Sequence, residues 1–562
     1  TLRALGATRA QIFSAFLGEG ALFGIAGSVL GLVIGALLAQ ASVDAVSHTV
    51  STIYVGTHAD HVVYAWPVLL KAFIVGLVLA TLSAVAPAVE AAATAPAITM
   101  RSAGFEGRSL TRVDLRLPVG GTMLLCAAAL AARAPAIDGL PFFGYVSGLC
   151  VIFGVSLLIP LLVAGIAAVG RRFAARLRPA ARLAFANMGA APLRNSVAIA
   201  SLMIAIGMMV SIAVLVGSFR TTIMAWAAET LQADLFIRPV GAADASYDAR
   251  FSPSVVAALR KVPGVASVDT FRSVTIPFRG TLTNLGATDF TSLGAHRNLR
   301  LLNGADARRL AAILPGTTSV LASEPFMTRF GMNVGDTIPV QTPSGLIAFR
   351  IAGVYNDYSS DAGFFLLDER TFARLFHDDS VNSIAIYAKP NEDLVALRTR
   401  LVRSVTPLRI DVQTNRELRA LVIAIFNRTF AITYALYVIS ITIAVLGVVS
   451  TLFALVLERR RQIGFLRYLG LTTGQVRRMV LTEAGLIGLF GGLCGIGVGF
   501  MLALLLIFVI DRQSFGWLIE LHVPYEFLAE ALVMVIVVAL IAGLYPASVA
   551  ARIQTAEALR TE

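Results

Sequence analysis

Long apolar runs dominate the pattern of hydrophobic and polar positions along this chain. Crossing about 30 Å of hydrocarbon takes roughly 20 apolar residues in a helix. Eight segments meet that measure and are predicted to span a membrane, although the third is short and ends against Arg133. The eight segments cover residues 21–41, 66–89, 117–132, 142–169, 197–216, 430–457, 484–510 and 527–549.

Residues 233–419, between the fifth and sixth spans, have the mixed pattern of a water-facing domain. The run ADLFIRPV predicts a strand, and SPSVVAALRKV predicts a helix capped by Ser252 or Ser254. A strand that enters a helix near Asp368 and a second strand–helix pair that ends near Ser404 continue this pattern. The predicted fold class is therefore a membrane α-helical bundle, of about eight transmembrane helices, with one extracytoplasmic α+β domain on helical stalks.

The charges of the loops predict which side of the membrane each loop occupies. Successive loops alternate sides, and those on one side are rich in arginine, whereas residues 42–65 on the other side contain no Lys or Arg. The positive-inside rule then places the arginine-rich loops, residue 1 and the C-terminus in the cytoplasm and the large domain outside. These arginines are Arg101, Arg108, Arg112, Arg116, Arg171, Arg172, Arg176, Arg178, Arg182, Arg459, Arg460, Arg461, Arg467, Arg477 and Arg478.

The composition agrees with an inner or plasma membrane protein. Hydrophobic residues make up 57% of the chain and charged residues only 14%, against roughly a quarter in soluble domains. The formal net charge is +12, but the arginines lie next to apolar runs, so we expect them to contact anionic lipid headgroups and not nucleic acid. Cys126, Cys150 and Cys494 lie inside apolar segments and are interpreted as small buried hydrophobes.

The chain contains an internal repeat. The segment LRALGATRAQIFSAFLGEGALFGIAGSVLGLVIG, from Leu2, aligns without gaps on LRYLGLTTGQVRRMVLTEAGLIGLFGGLCGIGVG, from Leu466. Further along, PAVEAAATAPAITMR from Pro87 matches PASVAARIQTAEALR from Pro546 in its proline, small residues and final arginine. Two matching blocks in the same order indicate two copies of one helical unit.

Two features of the repeat suggest roles. The pattern LRxLGxTxxQ predicts a short amphipathic helix, ended or turned by its glycine, at the cytoplasmic face, where a soluble partner can reach it; an ordinary interfacial helix is the alternative. Glycines at steps of four then form a smooth face on which another helix can pack, which we favour over a substrate path. The residues of this motif are Arg3, Leu5, Gly6, Thr8, Gln11, Arg467, Leu469, Gly470, Thr472 and Gln475, and the packing glycines are Gly27, Gly31, Gly35, Gly491, Gly495 and Gly499.

Neither the outer domain nor the loops carry a recognisable catalytic or metal motif. No GxSxG nucleophile elbow and no HExxH helix occurs in the chain. His58 and His61 form a lone HxxH, which is a weak metal signal, so we predict no metal site. The polar residues that most resemble a catalytic set are interpreted as surface groups at a helix end; they are Ser359, Ser360, Asp361, His377, Asp378 and Asp379.

The chain also lacks a phosphate-binding P-loop. That loop needs the sequence Gly-Lys-Ser/Thr, because its lysine reaches the β- and γ-phosphates. The three lysines, Lys71, Lys261 and Lys389, each follow a residue other than glycine. We therefore expect no enzyme activity from this chain, and any ATP that drives it must be bound by another polypeptide.

The second repeat copy resembles the FtsX-like (MacB-type) permeases of ABC systems. The resemblance rests on ERRRQIGFLRYLGLTTGQVRRMVLTEAGLIGLFGGLCGIGVG and on YPASVAARIQTAEALR near the end of the chain. Residues 194–562 match that family's unit of one helix, an outer domain and three helices. Residues 1–101 resemble the end of a first copy, so the duplicated ten-span form would have a further span, outer domain and span before Thr1.

The resemblance implies a division into five parts. Residues 1–101 are the end of the first permease repeat, with a coupling helix and two spans, and residues 102–193 are a central pair of spans with a cytoplasmic linker. Residues 194–232 are a span and stalk, residues 233–419 a MacB-like extracytoplasmic domain, and residues 420–562 the second permease repeat.

The resemblance also implies a mechanism and partners. The chain would need no cofactor of its own, because a dimeric cytoplasmic ABC ATPase subunit would bind ATP and Mg and receive the two coupling helices in its grooves. Closure of that dimer would move the stalks and the outer domain. Two functions remain open: export or extraction of a hydrophobic substrate such as a lipid, lipoprotein, peptide or drug, and mechanotransmission to an extracytoplasmic partner protein without transport.

Overall fold

The computed structural model describes most of the chain. The described residues are 6–53, 65–93, 115–137, 139–173, 179–190, 192–239, 250–291, 301–302, 307–358, 360, 363–430, 432–458, 460–468 and 470–551.

Seven helices in the described part of the chain are long and apolar enough to cross a membrane, and an eighth apolar helix, α3, has 16 residues. Each of the eight predicted segments coincides with a helix to within two residues or lies inside a longer one, except that the seventh continues from α15 into a π-helical stretch (Leu506–Asp511). The helices of the bundle are α1 (Arg9–Ile53), α2 (Trp66–Ala93), α3 (Arg116–Ala131), α4 (Phe142–Arg172), α5 (Pro179–Ala190), α6 (Pro192–Thr230), α13 (Ile432–Glu458), α14 (Arg460–Tyr468), α15 (Thr473–Leu505) and α16 (Tyr525–Ala551).

Helix α15 lies at the centre of this bundle. It packs against α6 and α16, while α13 packs against the same two helices. Helices α3 and α4 form a pair, and α4 also contacts α6 and α15. The buried core of the bundle includes Ile206 and Val210 of α6, Val498 of α15 and Ala539 of α16. A movement of α15 would therefore displace α6, which leads directly into the outer domain.

The two repeat copies pack their helix pairs in the same register. A Cβ built at Gly24 of α1 would lie 2.8 Å from the Cβ of Ala80 in α2. In the second copy, a Cβ built at Gly488 of α15 would lie 2.7 Å from the Cβ of Ala539 in α16. The sequence alignments that match Gly24 to Gly488 and Pro87 to Pro546 also match Ala80 to Ala539.

A neighbouring contact has exchanged its residues between the copies. In the first copy a Cβ built at Gly20 would lie 2.5 Å from the Cβ of Ala84. In the second copy the aligned residues are Ala484 and Gly543, and a Cβ built at Gly543 would lie 2.7 Å from that of Ala484. In both copies a glycine meets an alanine at this crossing, so the two helices approach closely in each. The glycine lies on the first helix of the pair in the first copy and on the second helix in the second copy.

In the part of the outer domain that the structure describes, one sheet of nine strands has the order β5-β6-β4-β7-β3-β2-β8-β1-β9. Its strands are β1 (Leu235–Pro239), β2 (Val265–Phe278), β3 (Thr281–Thr288), β4 (Ser319–Ser323), β5 (Thr337–Thr342), β6 (Gly345–Tyr355), β7 (Phe364–Asp368), β8 (Ser383–Ala388) and β9 (Ile410–Thr414). Its helices are α7 (Pro253–Arg260), α8 (Ala307–Ile313), α9 (Glu324–Phe330), α10 (Glu369–Phe376) and α11 (Leu394–Ser404). The structure thus confirms the predicted fold class.

The sheet supports separate hydrophobic cores at its two ends. One core contains Phe326, Phe349 and Phe365, and the other contains Leu235 and Leu397. The domain joins the bundle through α6, which continues to Thr230, and through α12 (Asn415–Thr429), which leads into α13. These two helices are the stalks that the sequence predicts.

Candidate functional site

The coupling motif of the second copy lies at the end of the bundle that points away from the outer domain. Helix α13 begins next to the stalk α12 and has 27 residues, which corresponds to a length of about 40 Å at 1.5 Å per residue. It ends at Glu458, immediately before α14 and the start of α15. We call this end of the bundle the inner end and the end next to the outer domain the outer end.

The motif forms a turn between two helices. Helix α14 ends before Gly470, whose φ of +104° lies in the left-handed region, and the Gly470 N–H donates to the carbonyl of Arg467 at 3.0 Å. Helix α15 begins with a capping box. The backbone N–H of Thr472 donates to Gln475 Oε1 at 2.9 Å, and that of Gln475 donates to Thr472 Oγ1 at 3.3 Å.

The first copy repeats this geometry. Gly6 has a φ of +98°, and a capping box joins Thr8 and Gln11 with the same two distances, 2.9 and 3.3 Å. The prediction of a short helix ended or turned by its glycine agrees with α14, which ends before Gly470, but the threonine caps the next helix and the glutamine belongs to that helix. The motif is a glycine turn followed by a capped helix start.

Both turns lie at the inner end. The side chain of Gln513, which follows the outer end of α15, donates to the carbonyl of Ala134 at 3.0 Å, so the connection between α3 and α4 is at the outer end and α3 begins at the inner end. Residues 94–115 contain no apolar run long enough for a further span. Since α1 and α2 each cross once, α1 also begins at the inner end.

The second turn is anchored on one side and open on the other. Ile463 of α14 packs with Val476 of α15 and Ala547 of α16, and the guanidinium of Arg467 donates to the carbonyl of Ala551 at 3.3 Å. On the open side Phe465 and Tyr468 are 54% and 70% exposed. Gly470, Thr472 and Gln475 are exposed, as are Gly6, Thr8 and Gln11. Arg3, Leu5 and Leu469 lie outside the described residues, and contact of the motif with an ATPase stays a prediction.

The glycine face has different surroundings in the two copies. A Cβ built at Gly491, Gly495 or Gly499 would lie 2.6 to 2.8 Å from the Cβ of Leu202, Ile206 or Val210, respectively, in α6. No other described atom comes within 4 Å of a Cβ built at the first-copy glycines, which are Gly27, Gly31 and Gly35. The close approach of α6 to α15 thus depends on glycine, and a packing role for the first-copy glycines stays a prediction.

The outer-domain residues that resemble a catalytic set do not meet as one site. Ser360 Oγ accepts from Asn284 Nδ2 at 3.2 Å, and His377 is an exposed left-handed residue, with a φ of +53°, at the end of α10. Asp378 accepts hydrogen bonds from Arg272 Nε and Nη2 at 3.1 and 2.9 Å. Ser359, Asp361, His58 and His61 lie outside the described residues. No group of three metal-ligating side chains occurs in the part of the chain that the structure describes.

A cavity of about 310 Å³ lies beside the Arg272–Asp378 pair, between α7 and α10. On its wall Thr270 Oγ1 donates to Glu369 Oε2 at 2.6 Å, and burial raises the pKa of the Glu369 carboxyl. Arg272 is only 4% exposed, and its guanidinium also donates to Asn382 Oδ1 at 3.0 Å. These groups satisfy one another, so they stabilise the wall of the cavity between the two ends of the sheet.

Replacing Asp378 with asparagine is expected to destabilise the outer domain by about 2 kcal/mol at pH 7, less than for a fully buried pair because Asp378 is 24% exposed. The buried Arg272 charge would lose its countercharge. Burial acts to raise the pKa of Asp378, but hydrogen bonds from Ser380 and the charge of Arg272 outweigh it and hold the pKa below its usual value.

That stabilisation is present above the unfolded-state pKa of about 3.9 and is lost as the pH falls through the lower folded-state pKa. Calorimetric unfolding of the full chain in detergent should therefore show a gap between wild type and Asp378→Asn at pH 7 that narrows below about pH 4. The exposed neighbour Asp379→Asn is the control and should change little. An equal effect of both variants at pH 7 would contradict this assignment.

Two family models match separate parts of the chain. The FtsX-like permease C-terminal family matches residues 1–96 and 434–555, and the MacB-like periplasmic core domain family matches residues 196–404. The first family therefore matches both repeat copies, and the second matches α6 with most of the outer domain.

Several known proteins are similar to this chain. An ABC transporter permease protein of Mycobacterium tuberculosis is 31% identical over 571 residues, which cover 100% of this chain and 66% of that protein. The lipoprotein-releasing system transmembrane protein LolC of Xylella fastidiosa is 25% identical over 45% of this chain and 67% of its own length. The solved periplasmic region of MacB from Actinobacillus actinomycetemcomitans covers 35% of this chain and 94% of its own, with 13% identity and a TM-score of 0.27.

Proposed function

This chain belongs to the FtsX-like, MacB-type family of ABC transporter permeases, and we propose that it couples ATP hydrolysis by a separate ATPase subunit to movement of its outer domain. The matched relatives are permease proteins, and the M. tuberculosis relative is longer than this chain. In this proposal the partner is a dimeric cytoplasmic ABC ATPase, which binds ATP and Mg. The chain is a multi-pass protein of the inner or plasma membrane whose inner end and C-terminus face the cytoplasm.

The observation that carries the proposal is the pair of equally built turns at the inner end. Gly6 and Gly470 have the same left-handed backbone, and each precedes a capping box with the same two distances. Both turns are exposed. Two equivalent contact points on one chain suit a partner that is itself a two-fold dimer.

The packing of α15 offers a path from the inner turn to the outer domain. The capping box makes the first turn of α15 a rigid start, and the helix continues for 33 residues, about 50 Å, toward the outer end. Along the way its glycines hold α6 at close range, and α6 continues into the outer domain. A push on the turn near Gly470 would therefore move α15 and α6 together.

We propose export or extraction of a hydrophobic substrate as the result of this movement. One similar protein is named a macrolide export ATP-binding/permease protein and another a lipoprotein-releasing system protein. An aromatic cluster between the stalks and the outer end of α15, which contains Phe219, Phe426, Phe430 and Trp517, supports contact with an apolar molecule.

Mechanotransmission to an outer partner protein is the second candidate. Leu346, beside the turn between β5 and β6, is 69% exposed. The turn lies at the start of β6, whereas α9 follows the end of β4, which pairs with the end of β6. The turn is therefore at the opposite end of the strands from α9, the helix that contacts the segment after α15. Mechanotransmission would need a surface for a partner protein at this tip, of which Leu346 would form part.

The test is to purify the chain with a candidate ABC ATPase subunit and to measure ATP hydrolysis in nanodiscs. The proposal predicts a stable complex and a hydrolysis rate that responds to the chain. Further stimulation by lipids or hydrophobic peptides supports transport, and stimulation only by an outer partner protein supports mechanotransmission. Failure to form a complex with any ATPase subunit encoded beside the permease would contradict the proposal.

A further inference from the structure

The segment between α15 and α16 contacts both the stalk and the outer domain. A π-helical stretch (Leu506–Asp511) and a single turn (Arg512–Ser514) extend α15 beyond its end at Leu505. Residues 515–524, which we call the outer loop, then return the chain to α16. Because the loop is covalently joined to α15, its contacts show what the outer end of α15 holds.

On one side the outer loop is hydrogen-bonded along the stalk α6. Ser218 Oγ donates to the carbonyl of His522 at 3.1 Å, and the N–H of His522 donates to Ser218 Oγ at 3.0 Å. One helical turn further, Thr222 Oγ1 accepts from the Glu520 N–H at 3.1 Å. Ile519, the residue before Glu520, is buried in the core of the bundle. Alternate residues of an extended segment are thus fixed to successive turns of one helix.

On the other side the loop contacts the outer domain. The hydroxyl of Tyr358, just after β6, donates to the carbonyl of Leu518 at 2.6 Å. Gly516 has a φ of +71°, and a Cβ built there would lie 3.0 Å from the Cα of Pro325 and 3.1 Å from the Cβ of Thr328, both in α9. Only a glycine combines this backbone with so close an approach.

Trp517 connects the two sides. Its ring stacks on Phe219 of α6 at 5.4 Å and 16°, and on Phe515 at 5.2 Å and 22°. It also meets the ring of Tyr358 edge-on at 6.2 Å. Phe219 in turn contacts Phe426 of the second stalk, α12, at 5.9 Å. The indole ring therefore joins α6 directly, and α12 through Phe219, to the outer domain.

We propose that the outer loop is a brace that transmits displacement of α15 to the outer domain, with Trp517 and Tyr358 as its positioning residues. The inference rests on the proposed function, because it specifies how the coupled movement reaches the domain. A domain joined only through α6 and α12 can pivot about the line between its two attachments. A third attachment through Leu518 and Gly516 removes that pivot, so that the domain follows α15.

Hydrogen exchange of the permease–ATPase complex, with and without ATP, tests the brace. In the unchanged chain ATP should alter exchange both at the start of α15 and in the β4–α9 region. Trp517→Ala should keep the response at the start of α15 and lose it in β4–α9. It should also speed exchange of the Glu520 and His522 amides roughly tenfold, because their hydrogen bonds to α6 would open more often. Tyr358→Phe, which keeps the ring, should give a smaller loss.

A reversible crosslink supplies the matched control. In a chain with alanine at Cys126, Cys150 and Cys494, the pair Gly516→Cys and Thr328→Cys places two Cβ atoms close enough for a disulfide after a small shift. Because the backbone at Gly516 favours glycine, the reduced pair in a chain that keeps Trp517 must first show the β4–α9 response. Oxidation should restore the β4–α9 response to Trp517→Ala, and reduction should remove it again. The brace is overturned if Trp517→Ala retains the response, or if oxidation abolishes it in a chain that keeps Trp517.

The brace and the proposed function can fail separately. If ATP changes exchange nowhere in the unchanged chain, the proposed function fails. The amides of Glu520 and His522 still test the brace without ATP: faster exchange in Trp517→Ala supports it, and unchanged exchange overturns it.

Discussion

Replacing Gly470 with valine is expected to reduce stimulation of the partner ATPase by about five- to thirtyfold while the bundle stays folded. A Cβ at this position meets no other described atom within 4 Å, so the effect comes from the backbone alone. The φ of +104° costs an L-residue, and a β-branched one above all, about 1–2 kcal/mol or more. This energy lowers the ratio of molecules with the turn to molecules without it by about five- to thirtyfold. ATP hydrolysis by the reconstituted complex measures the change.

Gly474→Ala is the matched control for this substitution. Gly474 lies in the first turn of α15 with helical backbone. The nearest atom that a Cβ built there would meet is Thr472 Oγ1, at 4.0 Å. Alanine favours the helix, so stimulation should persist. Gly6→Val tests the first copy in the same way, since its φ is +98°. Full stimulation in both valine variants would show that the turns do not couple.

Replacing Gly495 with leucine is expected to destabilise the bundle by about 3 kcal/mol or more, at the upper end of overpacking effects. A Cβ at this position would lie 2.6 Å from Ile206 Cβ and 3.2 Å from the carbonyl oxygen of Met203, so α6 and α15 would have to separate. Thermal unfolding in detergent, followed by circular dichroism, measures the loss. We expect the lower unfolding temperature to be accompanied by weaker contact between α6 and α15.

The aligned first-copy residue provides the control. A leucine at Gly31 meets no described atom within 4 Å of its Cβ, so Gly31→Leu should change the unfolding temperature little. Both substitutions add the same side chain to the middle of an apolar helix. Equal destabilisation by Gly31→Leu and Gly495→Leu would mean that the contact with α6 is not the reason for the glycine.

The sequence predicts the helices, the outer domain and the repeat well because each leaves a local signal. Apolar runs mark the spans, and the gapless alignment marks the copies. The capping boxes were also within reach, since a threonine followed three residues later by a glutamine is a known helix start, and a glycine before it is a known helix end. The predicted helix end at the glycine uses one of these signals, whereas the capping pair of threonine and glutamine is not used as the start of a second helix.

Contacts between distant segments could not be predicted in this way. The glycine spacing of α15 predicts a smooth face, but nothing local names Leu202, Ile206 and Val210 as the residues on it. The bond between Tyr358 and Leu518 joins residues far apart in the chain. Likewise Asp378 is recognisable as a residue near a helix end, whereas its partner Arg272 belongs to a strand more than a hundred residues earlier. Such pairs depend on the tertiary fold.

Crosslinking from the inner end tests most directly whether an ATPase drives this chain through its helix turns. A photoreactive amino acid is placed at Tyr468, next to the second turn, and in a separate chain at Leu346, at the tip of the outer domain; both residues are about 70% exposed. In membranes that contain the ATPase subunit, the account predicts an adduct with that subunit from position 468 and none from position 346. An adduct from position 346, or none from position 468 in a complex that hydrolyses ATP, would contradict it.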